Sequence, residues 1–285
     1  MVNSVKIIEC PRDAMQGIKS HFIPTETKAK YINSLLKVGF DTIDFGSFVS
    51  PKAIPQMRDT AEVLSKLDLS TTTSKLLAIV ANVRGANDAS QFEEIDYLGY
   101  PFSISENFQM RNTHKTIDQS IDTLREVLAI ANRTNKEVVA YLSMGFGNPY
   151  GDPWSVEIVG EWTEKLSSFG VKILSLSDTI GSSTPEDIDY LFSNLIPSYP
   201  QIEFGAHLHT TPTKWHEKVD SAFKAGCRRF DGAIKGYGGC PMAKDELTGN
   251  MPTEKLLSYF TANKVATNIK PMSFESAYNK ALEVF

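Results

Sequence analysis

The stretch "ILSLSDTIGSSTPEDIDYLFSNLIPSYPQIEFGAHLH", residues 173–209, decides the fold. Its first six residues form a run of small and apolar side chains, short enough for a buried strand. Thr184 and Pro185 then supply a cap and the proline favoured at the first helical position, so 184–196 reads as a helix. Residues 203–209, "EFGAHLH", form a second strand-length run. Strand, helix and strand in that order ask for two parallel strands joined by a crossover.

Working outward, the unit repeats. Strand-like runs stand at 5–10, 42–48, 76–82, 95–104, 137–144 and 229–236 as well. Between them lie amphipathic stretches at 25–39, 114–135, 154–170 and 212–226. The second of these places Ile117, Ile121, Leu124 and Leu128 on one helical face. Eight strands alternating with helices are the sequence form of an α/β (β/α)8 TIM barrel, with a doubly wound sheet as the alternative. No repeat, low-complexity tract or linker interrupts the pattern, so one domain over 1–285 is expected. Two further helical stretches, 252–264 and 274–284, are expected outside or below the barrel.

The composition, 41% hydrophobic and 22% charged, is that of a soluble globular chain. A net charge of −5 gives no basic excess for nucleic acid or an anionic membrane surface. No run approaches the ~20 apolar residues of a membrane span, and the N-terminus does not read as a signal peptide. A cytoplasmic location is the expectation. Cys10, Cys227 and Cys240 are too few and too scattered for a disulfide framework.

A barrel puts its catalytic groups at the C-terminal ends of strands. Polar residues at such ends are Arg12, Asp13, Asp44, Ser47, Glu106, Asn107, Asp178, His207, His209 and Lys235. His207 and His209 stand at i and i+2 in one strand, so both rings point to the same side of the sheet. Facing inward, they can grip one divalent ion facially, with Asp13 from the adjacent first strand as a carboxylate partner. Two histidines bonded only to backbone remain the alternative. The stretch "KGYGGCPMAKDELTGN" (235–250) is a glycine-rich loop that presents Cys240, a group capable of proton transfer or nucleophilic attack. Asn250 at its far end offers a neutral oxygen. Arg12 within a pocket would be a fixed cation for a carbonyl turning into an enolate.

"VKIIECPRDAMQ", "DFGSFVSPKAIPQM", "SENFQMRN", "LSLSDTIGSSTP", "GAHLH" and "GYGGCPMA" followed by "TGN" occur in this order. Together they resemble the 3-hydroxy-3-methylglutaryl-CoA lyases, a family of metal-dependent TIM-barrel enzymes. The resemblance runs from residue 5 to the final helix. It implies retro-Claisen cleavage of that acyl-CoA to acetyl-CoA and acetoacetate, with a divalent cation, Mg²⁺ or Mn²⁺, as cofactor. It assigns Asp13, His207, His209 and Asn250 to the cation and Arg12 to the enolate. Cys240 and His207 would take part in proton transfer, and Asp44 stands where the family has a catalytic Glu. Gln16, Ser47 and Asp178 match pocket-lining positions, Lys19 a basic residue facing CoA phosphate, and Glu254 an acid behind the Asn ligand. A homodimer is implied as well. Asp44, Ala14, Thr210 and Asn148 depart from the family pattern, which points to a shifted acyl preference. A related metal-dependent aldolase or acyl-condensing enzyme for another hydroxy acid is the second reading. A barrel that binds metal or ligand without turnover is the third.

Overall fold

A computed structural model describes residues 4–239 and 248–285. The chain forms a closed parallel barrel of β1 (Lys6–Glu9), β2 (Thr42–Ser47), β3 (Lys75–Ile79), β4 (Tyr97–Ser103), β5 (Glu137–Ser143), β6 (Ile173–Asp178), β7 (Glu203–Thr210) and β8 (Arg229–Gly232). Neighbours in sequence are neighbours in the sheet, and β8 pairs with β1 to close it. The barrel expectation holds, and the doubly wound alternative, an open sheet, does not.

Closure follows from the strand faces. Apolar residues on the outer face, such as Ile7, Ile43, Leu98, Val138, Leu174 and Phe204, are buried in the main core together with the helices. Leu77, Tyr97, Val139, Tyr141 and Ile173 form a separate cluster that fills the lumen. With both faces covered, the strands can be apolar throughout. Gly205 is needed here: a Cβ on it would stand 3.1 Å from Ser175 Oγ and 3.2 Å from Arg229 Cδ. Its missing side chain makes room for Arg229, which is 1% exposed.

The outer helices form for local reasons. In α6 (Ile117–Arg133), Thr116 and Gln119 make a reciprocal capping box. In α7 (Val156–Ser168), Ser155 caps Ile158 N, and in α8 (Pro185–Ser198) Thr184 caps Asp187 N. The helix read over 25–39 is α2 (Thr25–Leu36), which stops before Gly39. The structure adds elements that the periodicity did not reveal, because they are too short to carry it: α1 (Pro11–Gln16), α3 (Thr60–Leu64), α4 (Val83–Ala89) and α5 (Glu106–Thr113). α9 (Trp215–Lys224) completes the set before β8.

The eighth strand is shorter than the run 229–236. Its last residues turn into a 3-10 segment at Ile234–Gly236, with Lys235 in the left-handed region at φ 60°. Lys235 is therefore exposed on a turn and not part of a strand. Of the two helices beyond β8, α10 (Thr253–Ala262) packs on α9 and β8 and serves as the eighth outer helix. Only α11 (Pro271–Ala281), lying on α2, is additional. A two-residue strand, β9 (Gly249–Asn250), pairs antiparallel with β7. Among the described residues no helix is long and apolar enough to cross a membrane.

Candidate active site

The lumen at the C-terminal ends of the strands opens into a cavity of about 400 Å³. Arg12, Asp13, Gln16, Ser47, His207 and His209 line it, as the barrel rule requires. β7 supplies both histidines on its inward face. The register pairs Gly205 with Arg229, so two residues along, His207 stands beside Asp231 of β8.

Each ring is oriented by a partner behind it. His207 Nδ1 lies 3.0 Å from Asp231 Oδ2. His209 Nδ1 lies 2.9 Å from the Thr179 carbonyl. A carboxylate and a carbonyl only accept, so both Nδ1 atoms carry the proton and both Nε2 atoms are left as lone-pair donors. His209 Nε2 is buried and has no hydrogen-bond partner among the described residues. A buried polar atom without a partner is costly unless something binds there.

α1 brings the third group. Pro11 opens this helix at the end of β1, and one turn places Arg12, Asp13 and Gln16 at the mouth. Ligand atoms of Asp13, His207 and His209 all lie within 4.8 Å of one another. Two imidazoles and a carboxylate suit a divalent cation. Cys10, His207 and Asp231 form a second such group. Burial pushes the Cys10 thiol well above its ordinary pKa, helped by Asp231, Asp44 and Asp13. A neutral thiol is a poor ligand, so the Asp13 group is the one that fits.

The charges agree. Burial raises the Asp13 carboxyl, but Arg12, His207, His209 and Asn250 together outweigh it and lower its pKa. Burial and the neighbouring His207 lower the pKa of His209, which favours the neutral ring a metal needs. Arg12 Nη1 donates to Asp13 Oδ1 at 2.9 Å, while Nη2 and Nε donate to Asp44 at 2.5 to 3.1 Å. Burial opposes the charge on Arg12, yet Asp44 and Asp13 raise its pKa further still. Burial pushes Asp44 up to about 6, so it remains ionised at neutral pH.

Asn250 reaches the site through β9, which sets it opposite His209. Its Nδ2 donates to Asp13 Oδ2 at 2.6 Å and to the Tyr237 carbonyl at 2.8 Å. Gly238 runs between these groups at φ 84°, and a Cβ there would stand 2.7 Å from Asp13 O and 2.9 Å from Asn250 Nδ2. Only glycine combines that backbone with that clearance. Gly239 lines the cavity. Cys240, the next residue, lies outside the described residues.

Of the other residues singled out from the sequence, Gln16 and Ser47 line the cavity and the rest lie elsewhere. Gln16 donates to Asp13 Oδ1 at 2.5 Å, and Ser47 donates to the Ile79 carbonyl at 3.2 Å. Asp44 is 0% exposed and sits under Arg12, not on the cavity wall. Asp178 is 1% exposed and takes Ser183 and Lys218 as partners at 2.5 and 2.6 Å. Lys19 is exposed and is not a cavity-lining residue. Glu254 accepts from Lys235 N. Glu106 accepts from Ile117 N, and Asn107 is bonded to Asp152. Asn148 accepts from Tyr150 N and Asp152 N, so it builds a turn. The residue that sequence reasoning missed is Asp231. Its signal was present, a charged residue at inward parity in an apolar strand. Lys115 also reaches the cavity and carried no signal, because the stretch 114–135 reads as one helix whereas α6 starts only at Ile117 and leaves Lys115 in the turn before it.

Fold and site together define a (β/α)8 barrel with a carboxylate–imidazole cluster that could hold a cation at its C-terminal mouth. A family model described as HMGL-like matches residues 5–280, and the chain belongs to that family. It is 33% identical to hydroxymethylglutaryl-CoA lyase of Bacillus subtilis, over 91% of this chain and 86% of that protein. It is also 33% identical to the mitochondrial hydroxymethylglutaryl-CoA lyase of Bos taurus, over 93% of this chain and 81% of that one. Among solved structures, the B. subtilis HMG-CoA lyase matches with a TM-score of 0.92 at 32% identity, covering 99% and 95% of the two chains. An HMG-CoA lyase of Acinetobacter baumannii in complex with coenzyme A and 3-methylmalate matches with a TM-score of 0.89 at 28% identity, covering 99% and 91%.

Proposed function

We propose that this chain is a divalent-metal-dependent carbon–carbon lyase that cleaves 3-hydroxy-3-methylglutaryl-CoA to acetyl-CoA and acetoacetate. The observation that carries the reading is the convergence of Asp13, His207 and His209 within 4.8 Å, in a chain whose relatives bear that lyase's name. These three residues would hold the cation, and Asn250, whose Nδ2 donates to Asp13 Oδ2, would add its side-chain oxygen as a neutral donor with the amide turned over. Mg²⁺ or Mn²⁺ bound there would supply Lewis-acid polarisation of the substrate's hydroxyl and carboxylate oxygens.

The chain's own residues supply the rest. Arg12, clamped by Asp44 and Asp13, is a fixed cation for the enolate oxygen of the departing acetyl-CoA. Asp231 holds the Nδ1 proton of His207, so Nε2 is that ring's only free nitrogen. Ligation and proton acceptance draw on that same atom, and the reading gives it to the cation. The proton would then pass to another group, and Cys240, next to cavity-lining Gly239, is the candidate. Ile79, Ile54 and Phe108 in the cavity wall limit water around the carbanion.

Metal analysis of the purified protein together with a coupled assay for acetyl-CoA tests the reading. Divalent metal at one equivalent and release of acetyl-CoA from 3-hydroxy-3-methylglutaryl-CoA are expected. In Cys240→Ala, turnover should fall about 10²-fold or more with the metal retained. A protein that binds metal but releases no acetyl-CoA would refute the lyase reading.

A further inference from the structure

The cavity wall opposite the histidines carries a cation of its own. In the closed barrel β3 lies four strands from β7 in either direction, so the β3–β4 side faces the metal-binding side across the mouth. Asn82 follows β3, and Lys115 follows α5, which itself follows β4. Both line the same cavity as Asp13, His207 and His209.

Lys115 is short of acceptors. An ammonium has three N–H donors. One is used on Thr123 Oγ1 at 2.7 Å and one reaches the Ala81 carbonyl at a long 3.4 Å. Thr123 Oγ1 itself donates to the Gln119 carbonyl, so it is a neutral acceptor here. No carboxylate among the described residues forms an ion pair with Lys115. Glu126 attracts it only from a distance, and burial lowers its pKa. The other cation of the cavity, Arg12, is already matched by Asp44 and Asp13.

The surroundings have the same sign. Asn82 spends its Oδ1 on Gly85 N at 2.8 Å, as the cap of α4, and its Nδ2 remains a donor. Asp13 is the only acidic side chain among the described cavity-lining residues, and it belongs to the opposite wall. A half-desolvated ammonium beside an amide donor, with no acid near, complements an oxyanion on a ligand.

We propose that Lys115 Nζ and Asn82 Nδ2 form an anion subsite that takes a carboxylate or phosphate group of the same ligand whose other end meets Asp13, His207 and His209. The subsite rests on the lyase reading for the identity of that other end. The anion has two sources in an acyl-CoA, the acyl carboxylate and the CoA phosphates, and two probes separate them. One is 3-hydroxy-3-methylglutarate, which has carboxylates and no phosphate. The other is coenzyme A, which has phosphates and no carboxylate.

Calorimetric titration of both probes into the Mn²⁺-loaded protein tests this. Lys115→Met should weaken one probe by about tenfold or more, the loss expected for one charged hydrogen bond. Lys115→Arg should recover most of it. Loss confined to the hydroxy acid identifies the carboxylate as the group held, and loss confined to coenzyme A identifies the phosphate. Mn²⁺ affinity should stay within twofold in both variants, which separates the subsite from general damage, and Lys115→Gln serves if the Met variant does not fold. Both probes binding the Met variant within twofold of native would overturn the proposal. So would no binding of either probe to the native protein, or parallel loss of probe and Mn²⁺ binding. Native turnover of 3-hydroxy-3-methylglutaryl-CoA is scored separately: its absence, with Lys115-dependent binding of the hydroxy acid, would sink the lyase reading and leave the subsite standing.

Discussion

Replacing Asp231 should weaken the metal site without touching a ligand. Its side chain is 2% exposed and that of His207 13%, so their 3.0 Å contact is little screened by water. A hydrogen bond to a charged group contributes about 1.5–3 kcal/mol. Removing the partner that orients a metal-binding histidine costs about 10–100-fold in affinity, or ~1.4–2.8 kcal/mol, and the two estimates agree. Asp231→Asn keeps a carbonyl acceptor for Nδ1–H and loses only the charge, so about tenfold weaker Mn²⁺ binding is expected. Asp231→Leu removes charge and acceptor together, so about 100-fold is expected. The Leu variant also leaves Arg229, whose charge Asp231 offsets, without that neighbour, and should melt lower. Mn²⁺ titration followed by electron paramagnetic resonance gives the affinities. Nitrogen-15 NMR of the His207 ring reads the tautomer, which should be pure Nδ1–H in the native protein and mixed in the Leu variant. Mn²⁺ affinity within twofold of native in both variants, with the His207 tautomer unchanged, would refute the reasoning.

Three further outcomes follow from buried groups. Lys218→Met strands Asp178 without its 2.6 Å partner and leaves the Gly181 and His209 carbonyls without their donor. A cost of ~3–5 kcal/mol should lower the melting temperature by roughly 5–10 °C, and Asp178→Asn in the same chain should restore part of it; an unchanged melt would show that the pair contributes nothing. Burial pushes the Glu9 carboxyl up to about 8 from 4.5, against its bonds from Ile234 N and Thr253 Oγ1. The folded protein therefore keeps a proton that the unfolded chain releases, and stability is fully present below pH ~4.5 and falls as pH rises towards ~8. Glu9→Gln should flatten that decline in denaturant titrations across the window, and an equal slope in both proteins would contradict it. Asp44→Glu pushes one more methylene into a position that is 0% exposed and already bonded to Arg12. We expect kcat/KM for 3-hydroxy-3-methylglutaryl-CoA to fall about 10²-fold if Arg12 moves by ~1 Å, whereas a gain would mean that Asp44 marks a shifted acyl preference.

What the linear chain determined by itself is whatever depends on period and parity. Alternating strand and helix lengths gave a parallel sheet with both faces covered, which a barrel and a doubly wound sheet both satisfy; eight strands pointed to the barrel, and the β1–β8 pairing closes it. Two-residue spacing put His207 and His209 on one face, because a strand's side chains alternate. Capping of α8 was also legible, since Thr184 bonds only three residues ahead. The tertiary structure alone decided what depends on distant segments meeting. Asn250 stands opposite His209 because a two-residue strand pairs there, a contact too short to leave a pattern. Asp178, though at a strand end, turns to Lys218 on α9 and away from the cavity, since a buried carboxylate goes to the nearest cation that desolvation leaves unpaired. Asp231 gains its place behind His207 from the β7–β8 register, and Lys115 enters the cavity only because α5 and α6 fold over the ends of β3 and β4. Local patterns record which face a residue occupies; which partner waits on that face is set by closure of the barrel, and no short window of sequence contains both sides of that contact.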